Sequence, residues 1–218
     1  DGVKDVVKDV LLPWLNSYRF LEGQIAESDF KFDVSKLESV ENVMDRWILA
    51  SLQTLLKTVR AEMAAYRLYA VLPPCLRFLE SLTNMYIRFN RRRLKGETGT
   101  SEEDPTVPLT VLFHVLLNFS LVMAPFAPLL SENIYQRLRG SIKTNSDRAV
   151  RSIHFLDYPQ VEEKFVDSAI ERAVSALERV IEAGRSLRKT RDIALKTPLR
   201  KLTVVSVDPQ FCSDVSGL

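Results

Sequence analysis

LTVLFHVLLNFSLVMAPFAPLL, from Leu109 to Leu130, is the stretch whose reading decides the fold. No charged residue occurs between Pro105 and Ser131, and the run is long enough to span a bilayer. Three features argue against a span. Thr110, His114 and Asn118 recur every fourth residue and draw one polar line along a helix. Pro125 and Pro128 break the far end, and no basic flank follows to anchor it. A helix apolar on nearly all sides is buried either in lipid or in protein. The stretch is therefore predicted to be the central helix of a bundle, not a membrane segment.

Helical spacing dominates on both sides of this run. Val3, Val7, Val10, Trp14, Tyr18 and Leu21 step by three and four, giving a first helix with one apolar face from about Val3 to Gln24. IAESDFKFDVSKLES follows as a loop with a short extended piece. Asn42 is a candidate N-cap for a long second helix with Val43, Trp47, Leu52, Leu55, Leu56, Val59, Met63 and Tyr66 inward. Pro73-Pro74 opens a third, with Leu76, Leu79, Leu82, Tyr86 and Phe89 as its stripe, and Gly96 closes it. ETGTSEEDP is a polar, acidic loop containing Gly99, Glu102 and Glu103. A short helix is predicted near Ser131–Leu138, and SIHFLDYP is predicted extended. A last helix spans about Glu162–Lys189, with Phe165, Ala169, Ala173, Leu177, Val180 and Leu187 inward. LTVVSV (202–207) is a candidate strand. The expected architecture is all-α: an antiparallel helix bundle over residues 1–198, with a small mixed α/β module starting at 199–218. The chain starts without Met and stops without a terminating element, so it is expected to be a piece of a longer protein.

The 218 residues are 46% apolar, enough for a sizeable core, and the net charge is only +2. Affinity for a polyanion must then come from local clustering. Cys75, Cys212, His114 and His154 are too scattered for a disulfide framework or a zinc spacing, which suits a reducing, intracellular setting. The glycine pair Gly96 and Gly99 lies in an acidic loop and forms no phosphate-binding motif. His114 and His154 suit structural roles. Cys75 sits at a helix start, where a thiol pKa can fall, but no partner accompanies it. Catalysis is not expected, nor any metal or cofactor site in the chain.

Two basic clusters stand out. From Arg88 to Lys95, five of eight residues are cationic: Arg88, Arg91, Arg92, Arg93 and Lys95. The second gathers Arg185, Arg188, Lys189, Arg191, Lys196, Arg200 and Lys201 against one acid, Asp192. Acids concentrate elsewhere, in Glu27 to Asp45 and Glu162 to Glu182. A helix dipole accounts for cations in one last turn only, so a spread through helix end, loop and beyond points to a phosphate backbone as partner. Guanidinium forks suit phosphate oxygens. Tyr18, Phe20, Phe30 and Phe32 offer stacking surface for bases, but core packing is the expected job of each.

DRWILASLQTLLKTV (45–59), AYRLYAVLPPCLRFLESLTNMYIRFNRRRLKG (65–96) and LVMAPFAPLLSENIYQRL (121–138) resemble the helical anticodon-binding domain of class I aminoacyl-tRNA synthetases, in the branch charging Ile, Val, Leu and Met. AYRLYAVLP, Asn84-x-Tyr86-x-Arg88, the triple arginine, SIHFLDYP and LKTPLRKLTVV are most similar to isoleucyl-tRNA synthetases of the eukaryotic cytosolic type. Met85 departs from the tryptophan usual before that tyrosine, so an aromatic contact is expected to be missing. The HIGH and KMSKS signatures are absent. The resemblance implies a parent enzyme, cytoplasmic, that joins isoleucine to its tRNA with ATP and magnesium. Activation and editing then lie outside this chain, which is non-catalytic and grips the anticodon stem-loop of isoleucine tRNA. It implies that Lys8, Asn16 and Arg19 on the first helix face the anticodon, that Arg88, Arg91, Arg92, Arg93 and Lys95 take phosphates, and that Arg185, Arg188, Lys189 and Arg191 support the stem or loop. Further partners would be the catalytic and editing domains and other synthetases in a complex, with no membrane. The alternatives are the same domain of a valyl or leucyl enzyme, or a helical protein–protein scaffold.

Overall fold

Asn42 does cap the long helix: its side-chain oxygen accepts from the Met44 N–H at 2.9 Å, and α3 runs Val43–Ala64. A computed structural model describes residues 2–26, 30–38, 40–97, 104, 106–142 and 146–217. Glu27, Gly99, Glu102 and Glu103, invoked above as acids or loop residues, lie outside them. The chain divides into two compact units, Asp1–Val166 and Asp167–Leu218, a division 32 residues ahead of the expected 198/199 boundary (198 minus 166).

In the first unit α1 (Gly2–Val6) passes through a π-helical turn, Val7–Leu11, into α2 (Leu12–Ala26). That turn shifts the helical phase. Val10, Trp14, Tyr18 and Leu21 are buried as expected, but Val7 is turned outward. After α3 come α4 (Leu72–Ser81), with proline in its first turn, a second π-helical stretch, Leu82–Ile87, and the single turn α5 (Arg91–Leu94). Then follow α6 (Thr106–Met123) and α7 (Pro128–Leu138). Successive long helices alternate in direction, as contacts at their ends require. Tyr86, in the π-helical stretch after α4, bonds Asp45 at the start of α3 at 2.6 Å, and Trp14, early in α2, lies 5.5 Å from Phe119, late in α6.

The helix α6 is the core. Every residue from Pro108 to Met123 is buried, and it packs against α2, α3 and α7. It is long and apolar enough to cross a membrane, yet it is enclosed by its neighbours, as its polar line suggested. Two of that line's three members are satisfied within the helix: Thr110 Oγ1 donates to the Thr106 carbonyl, and Asn118 Nδ2 to the His114 carbonyl at 2.9 Å. Trp14 meets Phe119 edge-on, and Phe32 stacks on Phe113 at 4.6 Å. Tyr18, Phe30 and Phe32 are thus core residues. SIHFLDYP is not a strand: Ile153–Phe155 is a 3₁₀ turn capped by Ser152 and tied to the Glu132 carboxylate.

Two helix ends have the same hydrogen bonding with different residues. After α5, Gly96 (φ 67°) donates to the Arg93 carbonyl and Glu97 to that of Arg92, a Schellman closure. After α3, the corresponding left-handed position holds Tyr66 (φ 57°), with Arg67 donating to the Glu62 carbonyl. Tyr66 was expected inward; it is 92% exposed. A Cβ in this conformation costs about 1–2 kcal/mol.

The second unit holds α8 (Ser168–Thr190), capped by Asp167, and α9 (Pro209–Ser216), capped by Asp208. Arg172 and Asp214 form a two-pronged ion pair at 2.7 and 3.1 Å, and the Arg179 guanidinium lies 5.0 Å from the Phe211 ring. Leu187 faces water. The mixed module expected from Leu199 is not formed among the described residues. LTVVSV carries no strand, because a strand needs a ladder partner and none pairs with it among the described residues; Val205 and Val207 are exposed.

Two outcomes follow from these strained and buried groups. Tyr66→Gly should raise stability by about 0.5–1 kcal/mol in urea unfolding, the relief of left-handed strain less the added freedom of glycine in the unfolded chain. His114 is fully buried, and burial, aided by the Arg148 and Lys164 charges, lowers its pKa from 6.5 to about 3. Only the unfolded chain then takes up this proton between those values, so its contribution to stability is intact above pH 6.5 and is lost as pH falls. The loss from pH 7 to pH 5 should be about 2 kcal/mol, and His114→Gln should remove most of that difference.

Candidate nucleic-acid interface

The first cluster is built on a break in a helix. The inward stripe Leu79, Leu82 and Tyr86 is followed by Asn90 and Arg93, both turned in. Asn90 is buried: its amide donates to the Tyr86 carbonyl at 2.9 Å and its oxygen accepts from Arg93 at 2.6 Å. Arg93 Nη2 lies 2.8 Å from Asp45 Oδ2, and the Asp45 carboxylate is wholly inaccessible. Tyr86 donates to its other oxygen at 2.6 Å. Asp45 is the buried anchor of the α3–α5 junction.

Arg93 therefore does not sit with the other cations, contrary to the expectation that all five take phosphates. The spacing already held the signal, since Arg93 lies seven residues, two turns, beyond Tyr86 on the same face. Met85 is also buried, so the departure from tryptophan there is a change in the core and not at the surface.

Arg88, Arg91 and Arg92 point outward, and none makes an ion pair among the described residues. Arg88 continues an exposed line from Arg77, Glu80 and Asn84, and Arg92 extends it by one turn. The Arg91 guanidinium lies 5.6 Å from the centre of the Phe20 ring, which links this line to α2. There Leu12, Asn16, Arg19 and Gly23 form the outer stripe, at steps of four, three and four. Lys8 is exposed farther up the same helix run, 4.0 Å from Asp9. Lys95 is exposed beside Glu97 at 3.3 Å, a pair worth little in water.

In the second unit, Arg185, Lys189 and Arg191 are exposed. Arg188 is engaged: its guanidinium donates to the carbonyls of Ala194 and Thr197, each at 2.9 Å, pinning the loop after α8. Asp192 sits in the left-handed position of that helix end (φ 51°).

Other sites are poorly suited to anion binding or catalysis. Burial pushes the Cys75 thiol up to about 12, so it is not a nucleophile at neutral pH. A cavity of about 450 Å³ beside the end of α6 sets Asp147, Asp157 and Glu162 against one guanidinium, Arg148, the wrong balance for phosphate. His154 is exposed on its 3₁₀ turn.

Comparison with known proteins adds the deciding observation. The profile of the family described as "Anticodon-binding domain of tRNA ligase" matches residues 45–204. The chain belongs to the family of tRNA-ligase anticodon-binding domains. Its relatives include cytoplasmic isoleucine–tRNA ligases of Saccharomyces cerevisiae, 48% identical over 228 residues, and of Schizosaccharomyces pombe, 44% over 225. That of Mus musculus is 43% identical over 226 residues. Each match covers all of this chain and 21%, 21% and 18% of the relative, so the chain spans about a fifth of their length. The likeness to isoleucyl enzymes expected from AYRLYAVLP and the triple arginine is met by these relatives.

In this anticodon-binding domain, Arg93→Met should cost about 3–5 kcal/mol in chemical unfolding, because it strands the buried Asp45 carboxylate. Arg92→Met, at an exposed unpaired position, should stay within about 0.5 kcal/mol of the unchanged protein.

Proposed function

We propose that this domain grips the anticodon stem-loop of an isoleucine tRNA, as part of a longer cytoplasmic isoleucine–tRNA ligase whose catalytic and editing domains bind ATP and magnesium and carry out the chemistry. The observation that carries the reading is the junction of two outward stripes. Arg88, Arg91 and Arg92 are exposed and make no ion pair among the described residues, and Arg91 over Phe20 joins them to Asn16 and Arg19 on α2. Gathering unpaired guanidiniums costs electrostatic energy, which a phosphate backbone relieves on binding. Lys95 and Lys8 extend the same cationic reach.

Arg185, Lys189 and Arg191 form a second set on the other unit, where Arg188 shapes the loop that carries them. The names of the relatives support isoleucine as the amino acid and the cytoplasm as the setting, and their length beyond the matched fifth supports further domains as partners. Other synthetases are further candidate partners, and no membrane is involved.

Affinity for isoleucine tRNA, measured by anisotropy at two salt concentrations, should fall steeply as salt rises. Arg88, Arg91 and Arg92 all changed to Glu should weaken binding about a hundredfold or more and flatten the salt slope by about two to three, with the unfolding midpoint unchanged. Competition with valine tRNA tests the choice of amino acid. Affinity indifferent to salt, or a triple variant binding like the unchanged protein, would remove the basis for this reading.

A further inference from the structure

Phe89 continues the inward stripe Leu82 and Tyr86 in phase, and the pattern places it in the core, yet it is 52% exposed. The cause is local. The π-helical turn Leu82–Ile87 alters the phase just ahead of it, and the chain then bends at Asn90 (φ −94°, ψ 8°), whose side chain turns inward in its place. The ring is left exposed at a position that lies, along the chain, between Arg88 and Arg92, both exposed as well, and among the described residues it touches no other aromatic ring and no cation. A single exposed phenylalanine is unremarked on most surfaces. This one falls in a run with Arg88, Arg91 and Arg92, which make no ion pair among the described residues, and Arg91 lies over Phe20.

Resting on the reading above, we propose that Phe89 is a stacking platform for one unpaired base of the bound RNA loop, with Arg88 and Arg92 holding the phosphates on either side of that nucleotide. A flat apolar face between cations suits a nucleotide, which presents a flat face and an anion a few ångströms apart. An apolar protein partner fits poorly, since covering Phe89 would desolvate Arg88 and Arg92 without supplying counter-charges. Stacking accepts any base, so Phe89 contributes affinity for a splayed loop and the arginines contribute the salt dependence.

The test uses an RNA hairpin carrying the isoleucine anticodon loop, with 2-aminopurine placed in turn at each unpaired position, and a fully paired RNA of the same length. The unchanged protein should quench the fluorescence at one loop position. Phe89→Ala should abolish that quenching and weaken hairpin binding about tenfold, leaving the salt slope and the affinity for paired RNA unchanged. Phe89→Leu, which keeps an apolar side chain at the rim, should fold with an unaltered melting midpoint and still lose the quenching; Phe89→Trp should restore it. Quenching and affinity that survive Phe89→Ala overturn the stacking role while leaving the tRNA-binding reading intact. Failure of the unchanged protein to bind the hairpin overturns both.

Discussion

A buried carboxylate sets the geometry on which the cationic face depends. Asp45, one turn into α3, is closed off from water and held by the Arg93 guanidinium and the Tyr86 hydroxyl. An unpaired charge at such a site is strongly unfavourable, so the two partners are required to be where they are. Tyr86 comes from the long arm after α4 and Arg93 from α5, and their convergence fixes where the α4–α5 segment ends relative to α3. Asn90 completes the network from within the bend. The bend turns Arg93 inward and leaves Arg88, Arg91 and Arg92 outside. One ion pair thus sorts a run of similar side chains into one that holds the fold and three that face solvent.

The same economy of polar groups governs α6. Its polar line finds partners along its own backbone, one turn back, so the helix can be apolar to every neighbour and still leave few orphaned groups. His114 is the exception, with Nδ1 unpartnered and a pKa lowered by burial to about 3. It is carried neutral, and the core around it is built for that form. Phe32 and Phe165 flank its ring, and the Glu162 carboxylate, 3.7 Å from Nε2, does not offset the cost of burial. The acid sensitivity of the bundle therefore resides at its centre, away from the cationic face.

A chain of net charge +2 can serve a polyanion because its cations are segregated, not because they are in excess. The separation is arranged by helix ends. Arg91 and Arg92 lie in a single turn closed by Gly96, and the cations after α8 lie around a second left-handed closure at Asp192. At such ends the helix dipole favours positive charge, so the arginines assist the local structure before any ligand arrives. Binding then draws on groups already held in place, which lowers the ordering cost of recognition.

The sequence by itself determined the helices and the core. Period and capping residues marked α3 through Asn42, α4 through its prolines and the end of α5 through Gly96; the uncharged run with its one polar line marked α6. These are signals of local origin, written in spacing along one segment, and the family likeness in DRWIL and NRRRLKG rests on the same segments. Tertiary structure decided the rest. Spacing set Arg93 on the face of Tyr86, but only the assembled fold supplied its partner, Asp45, 48 residues away. Phe89 and Val7 turned outward because π-helical turns broke the phase their stripes assumed. Tyr66 took a left-handed cap that glycine would occupy more easily, and Leu202–Val207 stayed unpaired because a strand exists only beside another. For Arg93 and Leu202–Val207 the outcome turned on a group distant in the chain, for Val7, Tyr66 and Phe89 on a local departure from regular helix that the residue pattern does not announce, and burial energy attaches to the assembled neighbourhood, not to the residue alone.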